Sequence, residues 1–182
     1  ALDTLGNLFH FLVHDHKFPG GNEVIRCKAL FQKLVAYYAA HPDMESVSRL
    51  NVLKVSMFKR KAGKAPRLSA AAAETRCLRP FAVQLVQEYM DDAIEFERTM
   101  KHCLLELAEC YKCLCRDLLF SQDLGSKHCR RYCTLYVGLS DAAADPLWRV
   151  KPKLHAFQEL CEMSGASRPA TSWTYRDEGF GG

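Results

Sequence analysis

The stretch Phe96-Glu97-Arg98-Thr99-Met100-Lys101-His102-Cys103-Leu104-Leu105-Glu106-Leu107-Ala108-Glu109-Cys110-Tyr111 decides the fold class. Phe96, Met100, Cys103, Leu104, Leu107 and Tyr111 recur at steps of three and four, which is the period of one helix face. Continued through Leu114 and Leu118, the pattern predicts the longest helix of the chain over about 92–119. Toward the C-terminus, Ser121–Ser126 with Gly125 reads as a turn. A helix over 126–142 follows, with Cys129, Tyr132, Cys133, Tyr136 and Val137 on one stripe, and it ends before Asp145-Pro146. Trp148–Pro152 reads as extended. A last helix over 153–163 is expected to bury Leu154, Phe157, Leu160 and Cys161. Trp148 and Trp173 flank that helix and are expected to pack on it.

Toward the N-terminus, a helical run from Leu68 carries Ala70 to Ala73, Leu78, Ala82, Leu85, Val86 and Tyr89. Pro80 lacks an amide hydrogen and crowds the preceding turn, so a kink or split is expected near Arg79. Residues 50–59 contain β-branched side chains in partial alternation and read as a short strand or hairpin, with a short helix as the competing reading. A helix over 23–40 has Val24, Cys27, Phe31, Leu34, Val35 and Tyr38 as its expected buried stripe. Before the break at Phe18-Pro19-Gly20-Gly21-Asn22, residues 4–16 place Leu5, Leu8, Phe9 and Leu12 on one helical face. His10 and His14 fall on the other face and, with His16, read as a solvated histidine face. The predicted fold is mainly α, with six or seven helices in one domain over 1–163 and an irregular tail over 164–182.

Composition narrows the class further. A chain of 182 residues with 48% hydrophobic content can bury a core, which excludes collagen-like, disordered and disulfide-scaffold classes. No apolar run reaches the ~18 residues needed to span a bilayer, so no membrane partner is expected. Ala1-Leu2-Asp3-Thr4 has neither an initiator Met nor a basic leader, and the chain reads as an internal fragment of a larger intracellular protein, nuclear or cytoplasmic. Nine cysteines without a signal peptide read as reduced thiols. On a helix, Cys110 and Cys115 of the Cys110-x2-Cys113-x-Cys115 run point about 140° apart, so those three close no single tetrahedral site. Cys129 and Cys133 read as core packing, and no metal is expected in this stretch of protein. The phosphate-loop, dinucleotide-binding, zinc-protease and hydrolase-elbow signatures are absent.

The net charge of +4 is uninformative, but its distribution is not. Lys54, Lys59, Arg60, Lys61, Lys64 and Arg67 fall in one stretch with no acid among them. Such a block suits a phosphate backbone, and its plainer reading is a solvated loop.

Three stretches carry a family resemblance. Arg49–Lys54 through Pro66–Arg76 with Leu78 and Pro80-Phe81 is the first, and Val150-Lys151-Pro152-Lys153-Leu154-His155 with Phe157 is the second. Trp173-Thr174-Tyr175-Arg176-Asp177-Glu178-Gly179-Phe180-Gly181-Gly182 is the third. Together they resemble a multicopy family of transposon-like open reading frames from protist genomes. That family is distantly similar to RNase H-like cut-and-paste transposases, in which a helical insertion separates the second and third catalytic acids. Leu5-Gly6 resembles the region just after the second acid. The resemblance implies that Glu178, or Asp177 beside it, is the third acid. His155, next to Glu159 and Glu162, is a candidate for orienting a carboxylate, and its plainer reading is a surface histidine. The resemblance also implies that Lys151 and Lys153 join the basic segment in touching DNA. Mg²⁺ would serve only the full-length parent, because two-metal chemistry needs several carboxylates, and this chain alone would be inactive with no cofactor. The rival expectation is a non-enzymatic helical interaction domain that binds nucleic acid or protein through the same basic face.

Overall fold

The computed structural model describes residues 1–15, 17–42, 48–58, 64–113, 121–144 and 147–163. The protein is mainly α. Among the described residues there are six α-helices, one 3₁₀ turn and no sheet. The helices are α1 (Leu2–His14), α2 (Glu23–Ala40), α3 (Ala72–Tyr89), α4 (Glu95–Cys113), α5 (Gln122–Ala142) and α6 (Pro152–Met163), and the 3₁₀ turn is Val55–Met57. Contacts divide them into two compact units, Ala1–Tyr89 with Ala144–Trp148 and Met90–Ala143 with the chain from Arg149 onward.

In the first unit, Leu5, Leu8, Phe9 and Leu12 of α1 are fully buried, as their spacing predicts. α2 starts where Asn22 accepts a hydrogen bond from the Ile25 amide at 3.0 Å. Its buried face matches the predicted stripe at Cys27, Leu34 and Tyr38 and departs from it elsewhere. Arg26, Cys27, Leu30, Leu34, Tyr37 and Tyr38 are inside, whereas Val24 and Val35 are exposed. The helix is turned so that the Arg26 guanidinium reaches the Val13 carbonyl in the last turn of α1 and the Gly20 carbonyl at 3.0 Å. A cation at a helix C-terminus satisfies orphan carbonyls, and here that outweighs burying two valines.

α3 is continuous through Pro80, so of the kink or split expected near Arg79 no split occurs. Proline at that position removes the donor to the Arg76 carbonyl, and the Arg79 Nε donates to that oxygen instead at 3.1 Å. The helix opens with Glu74 accepting from the Ala71 amide at 2.8 Å, half of a capping box. No strand or hairpin forms in the described part of 50–59. Its amides turn locally, Met57 to the Lys54 carbonyl and Phe58 to the Val55 carbonyl. Burial of Leu50, Leu53 and Phe58 also departs from a period of two.

The second unit is built on the α4/α5 pair. Met100, Cys103, Leu104, Leu107, Cys110 and Tyr111 of α4 are buried, and so are Cys129, Tyr132, Cys133, Tyr136 and Leu139 of α5. Glu106 of α4 ties the pair together, 2.6 Å from His128 and 3.5 Å from Arg131. α5 starts at Gln122 with Ser121 as its cap, so the expected turn over 121–126 is its first helical turn. Val137, assigned to the buried stripe, is exposed. On α6 only Cys161 is buried among the described side chains, while Leu154, Phe157 and Leu160 are half-buried. Residues 114–120, the rest of the predicted long helix, and the tail from 164 with Trp173 lie outside the described residues.

Trp148 belongs to the first unit, is buried, and its amide donates to Asn7 Oδ1 of α1 at 3.0 Å. Its φ of 53° lies in the left-handed region that bulky residues avoid, and the Asn7 bond helps to hold it there.

Candidate nucleic-acid interface

The basic segment is fixed to the first unit at both ends. On its N-terminal side Leu53 is buried and its carbonyl faces the Cys27 thiol at 3.6 Å. Phe58, fully buried, meets Phe9 edge to face with ring centroids 6.1 Å apart. On its C-terminal side Ala65 and Leu68 are buried, the Leu68 amide donates to the Leu2 carbonyl at 3.1 Å, and the Ser69 amide donates to the Met57 carbonyl at 2.7 Å. Gly6 allows this approach: a Cβ there would lie 2.5 Å from the Leu68 nitrogen and 2.6 Å from the Arg67 Cα. The segment thus rests directly on the backbone of α1, with Asn7 Nδ2 donating to the Pro66 carbonyl at 3.5 Å.

Between these anchors Lys54, Lys64 and Arg67 are exposed. Among the described residues, none of the three pairs with a carboxylate. Lys59, Arg60 and Lys61 lie outside the described residues. Arg49 enters the same segment and was not singled out by sequence reasoning. Its guanidinium lies over the Tyr38 ring, 5.2 Å from the centroid, while the Tyr38 hydroxyl accepts from the Leu50 amide at 3.2 Å. The Arg49 Nε and Nη2 are hidden from solvent without a hydrogen-bond acceptor. The only sequence signal for this was a basic residue a few positions before the run.

Lys151 and Lys153 belong to the second unit, at the start of α6, where Lys153 is exposed. His155 is exposed on α6, 3.2 Å from Glu159. Near it the Glu162 carboxyl is held below its usual range by Gln158 and then by Arg130. Glu178 and Asp177 lie outside the described residues. His10 and His14 do not form an open face. They are part-buried, their rings lie 4.1 Å apart, and His14 Nδ1 is 3.4 Å from Glu23, while His16 lies outside the described residues.

Of the eight described cysteines, seven are buried, and none of the eight is in a disulfide. Burial pushes the Cys27 thiol up to about 11, with Glu23 adding to the shift. Among the described residues no group of three or more His, Cys, Asp or Glu side chains is arranged to hold a metal, and no helix is long and apolar enough to cross a membrane. Comparison with family models, with curated proteins and with solved structures finds no match to this chain.

Proposed function

We propose that this protein binds nucleic acid through the segment from Lys54 to Arg67. The observation that carries the reading is the exposure of Lys54, Lys64 and Arg67, without carboxylate partners among the described residues, on a stretch anchored at both ends. Anchored cations meet a phosphate backbone with little loss of chain freedom, and each contact releases condensed counterions. Such contacts follow charge rather than base identity, so the binding is sequence-independent and falls steeply with salt.

The test is duplex DNA binding across a salt series. Changing Lys59, Arg60, Lys61 and Lys64 to Ala should lower the slope of log affinity against log salt by up to about 3–4, at roughly 0.9 per lost contact. An unchanged affinity and slope would refute the reading.

The family resemblance extends it to a transposase-like protein in which DNA held here is presented for strand transfer, with Glu178 or Asp177 as the third acid. Two adjacent acids do not supply the oxygen ligands that a pair of Mg²⁺ ions requires, so no chemical step is assigned to this chain. In a longer protein that carries all three acids, Glu178→Gln should abolish Mg²⁺-dependent strand cleavage and leave DNA binding intact. Cleavage retained in a nicking assay would move the role to Asp177 or remove the family assignment.

A further inference from the structure

One cation of the first unit has no hydrogen-bond acceptor. Arg49 lies half-buried just before the basic segment, with its guanidinium 5.2 Å from the centroid of the Tyr38 ring. Its Nε and Nη2 are hidden from solvent and have no hydrogen-bond partner. No ion pair among the described residues includes it. A guanidinium carries five N–H donors in a planar fork, and hiding charged donors without acceptors is costly. Buried polar groups are otherwise almost always bonded, so an orphan of this kind points to an acceptor from outside the chain. The Tyr38 ring attracts the charge through its π face and offers the fork no oxygen lone pair.

The chain around Arg49 indicates which acceptor that is. The Leu50 amide donates to the Tyr38 hydroxyl at 3.2 Å, and the Cys27 thiol donates to the Leu53 carbonyl at 3.6 Å, so the stretch is pinned to α2 at two points. Leu50 and Leu53 are buried, whereas Asn51, Val52 and Lys54 are exposed. Arg49 and Lys54 therefore flank one anchored stretch. The chain from Arg49 to Lys54 spans at most about 17 Å, the axial length of about five nucleotides in one strand of a duplex. A single duplex seated on Lys54 is long enough to meet Arg49 as well.

Resting on the reading of Lys54–Arg67 as the nucleic-acid interface, we propose that Arg49 is a phosphate clamp of that interface. Its guanidinium rests on Tyr38 in the free protein and turns outward to hold two oxygens of one phosphodiester when nucleic acid docks. The fork suits phosphate because two parallel N–H···O bonds form at once. Turning outward breaks no hydrogen bond or ion pair to the described residues, and it gives the hidden nitrogens the acceptors they lack. The pinned backbone of Leu50 keeps the root of the side chain in place as the guanidinium moves.

The experiment runs Arg49→Met, which keeps a long apolar stem without the charge, and Arg49→Lys through the duplex DNA salt series. Arg49→Met should lower the slope by about 0.9 and the affinity near 0.1 M salt by about eightfold. Its melting midpoint without DNA should be unchanged or higher, because the hidden charge leaves no partner behind. Arg49→Lys should restore the slope but not the full affinity, since an ammonium lacks the fork. On the unsubstituted chain, the Arg49 Nε–Hε NMR signal should shift when DNA is added and return at high salt. The proposal is overturned if Arg49→Met binds with the parent slope, or if the Nε–Hε signal does not respond to DNA. The variant with Lys59, Arg60, Lys61 and Lys64 changed to Ala separates this failure from that of the interface itself. If that variant loses slope and Arg49→Met does not, the interface stands without Arg49; if the parent binds no DNA, both fall. The NMR titration decides the matter even if Arg49→Met fails to fold.

Discussion

Asn7 joins three segments that are far apart in sequence. It sits on the apolar side of α1, nearly without exposure, with Nδ2 donating to the Asp3 carbonyl at 2.8 Å and to the Pro66 carbonyl at 3.5 Å. Its Oδ1 accepts from the Trp148 amide at 3.0 Å. Asn7→Ala strips the Trp148 amide of its acceptor in a buried setting, where an orphaned donor costs about 1–3 kcal/mol. With the loosened Pro66 contact, the expected loss is about 2–4 kcal/mol of unfolding free energy, read from urea titration. An exposed-site effect of a few tenths would show that the hub is dispensable. The apolar stripe around Asn7 was legible in the spacing of Leu5, Leu8 and Leu12, and a polar residue among them is a sign of a buried hydrogen-bond hub. Its partners were not legible, because no local pattern links position 7 to 66 or 148. Arg26 is the same case: a buried charged residue that closes the end of the preceding helix, which no local pattern marks.

Helix positions were the most legible feature, since a period of three and four is a local property. The faces of the helices and their interruptions were less so. α2 turned to seat Arg26 and to bring Tyr37 against Phe81, with centroids 5.3 Å apart, and this left Val24 and Val35 outside. α3 survived its proline because the neighbouring Arg79 supplies a donor, a compensation that a rule about proline alone omits. A double-mutant cycle tests that account. Pro80→Ala restores the backbone donor and should stabilise the protein by about 1–3 kcal/mol. Arg79→Ala should cost about 0.5–1 kcal/mol in the parent and clearly less beside Pro80→Ala, because the Arg76 carbonyl then has its own amide partner. Equal costs in both backgrounds would assign Arg79 another role. For the basic segment, the run of charge was legible and its support was not. Gly6 looks like a flaw in a helix until Leu68 is found resting on it.

At the scale of the molecule, the first unit is discontinuous: its chain leaves at Tyr89 and returns to contribute Trp148. Nothing local marked its bond to Asn7, which closes the unit across 141 residues of sequence. The discontinuity has a consequence for timing. Translation at about 5–20 residues per second reaches Trp148 on the order of 3–12 s after Tyr89. Through that interval Asn7 Oδ1 lacks the Trp148 amide and the first unit lacks a large buried aromatic side chain. Meanwhile α4 and α5 emerge as neighbours in sequence and close their pair through short-range contacts. The half of the protein made first is therefore finished after the α4/α5 pair, and its nascent form waits with an open apolar seam that a chaperone would recognise.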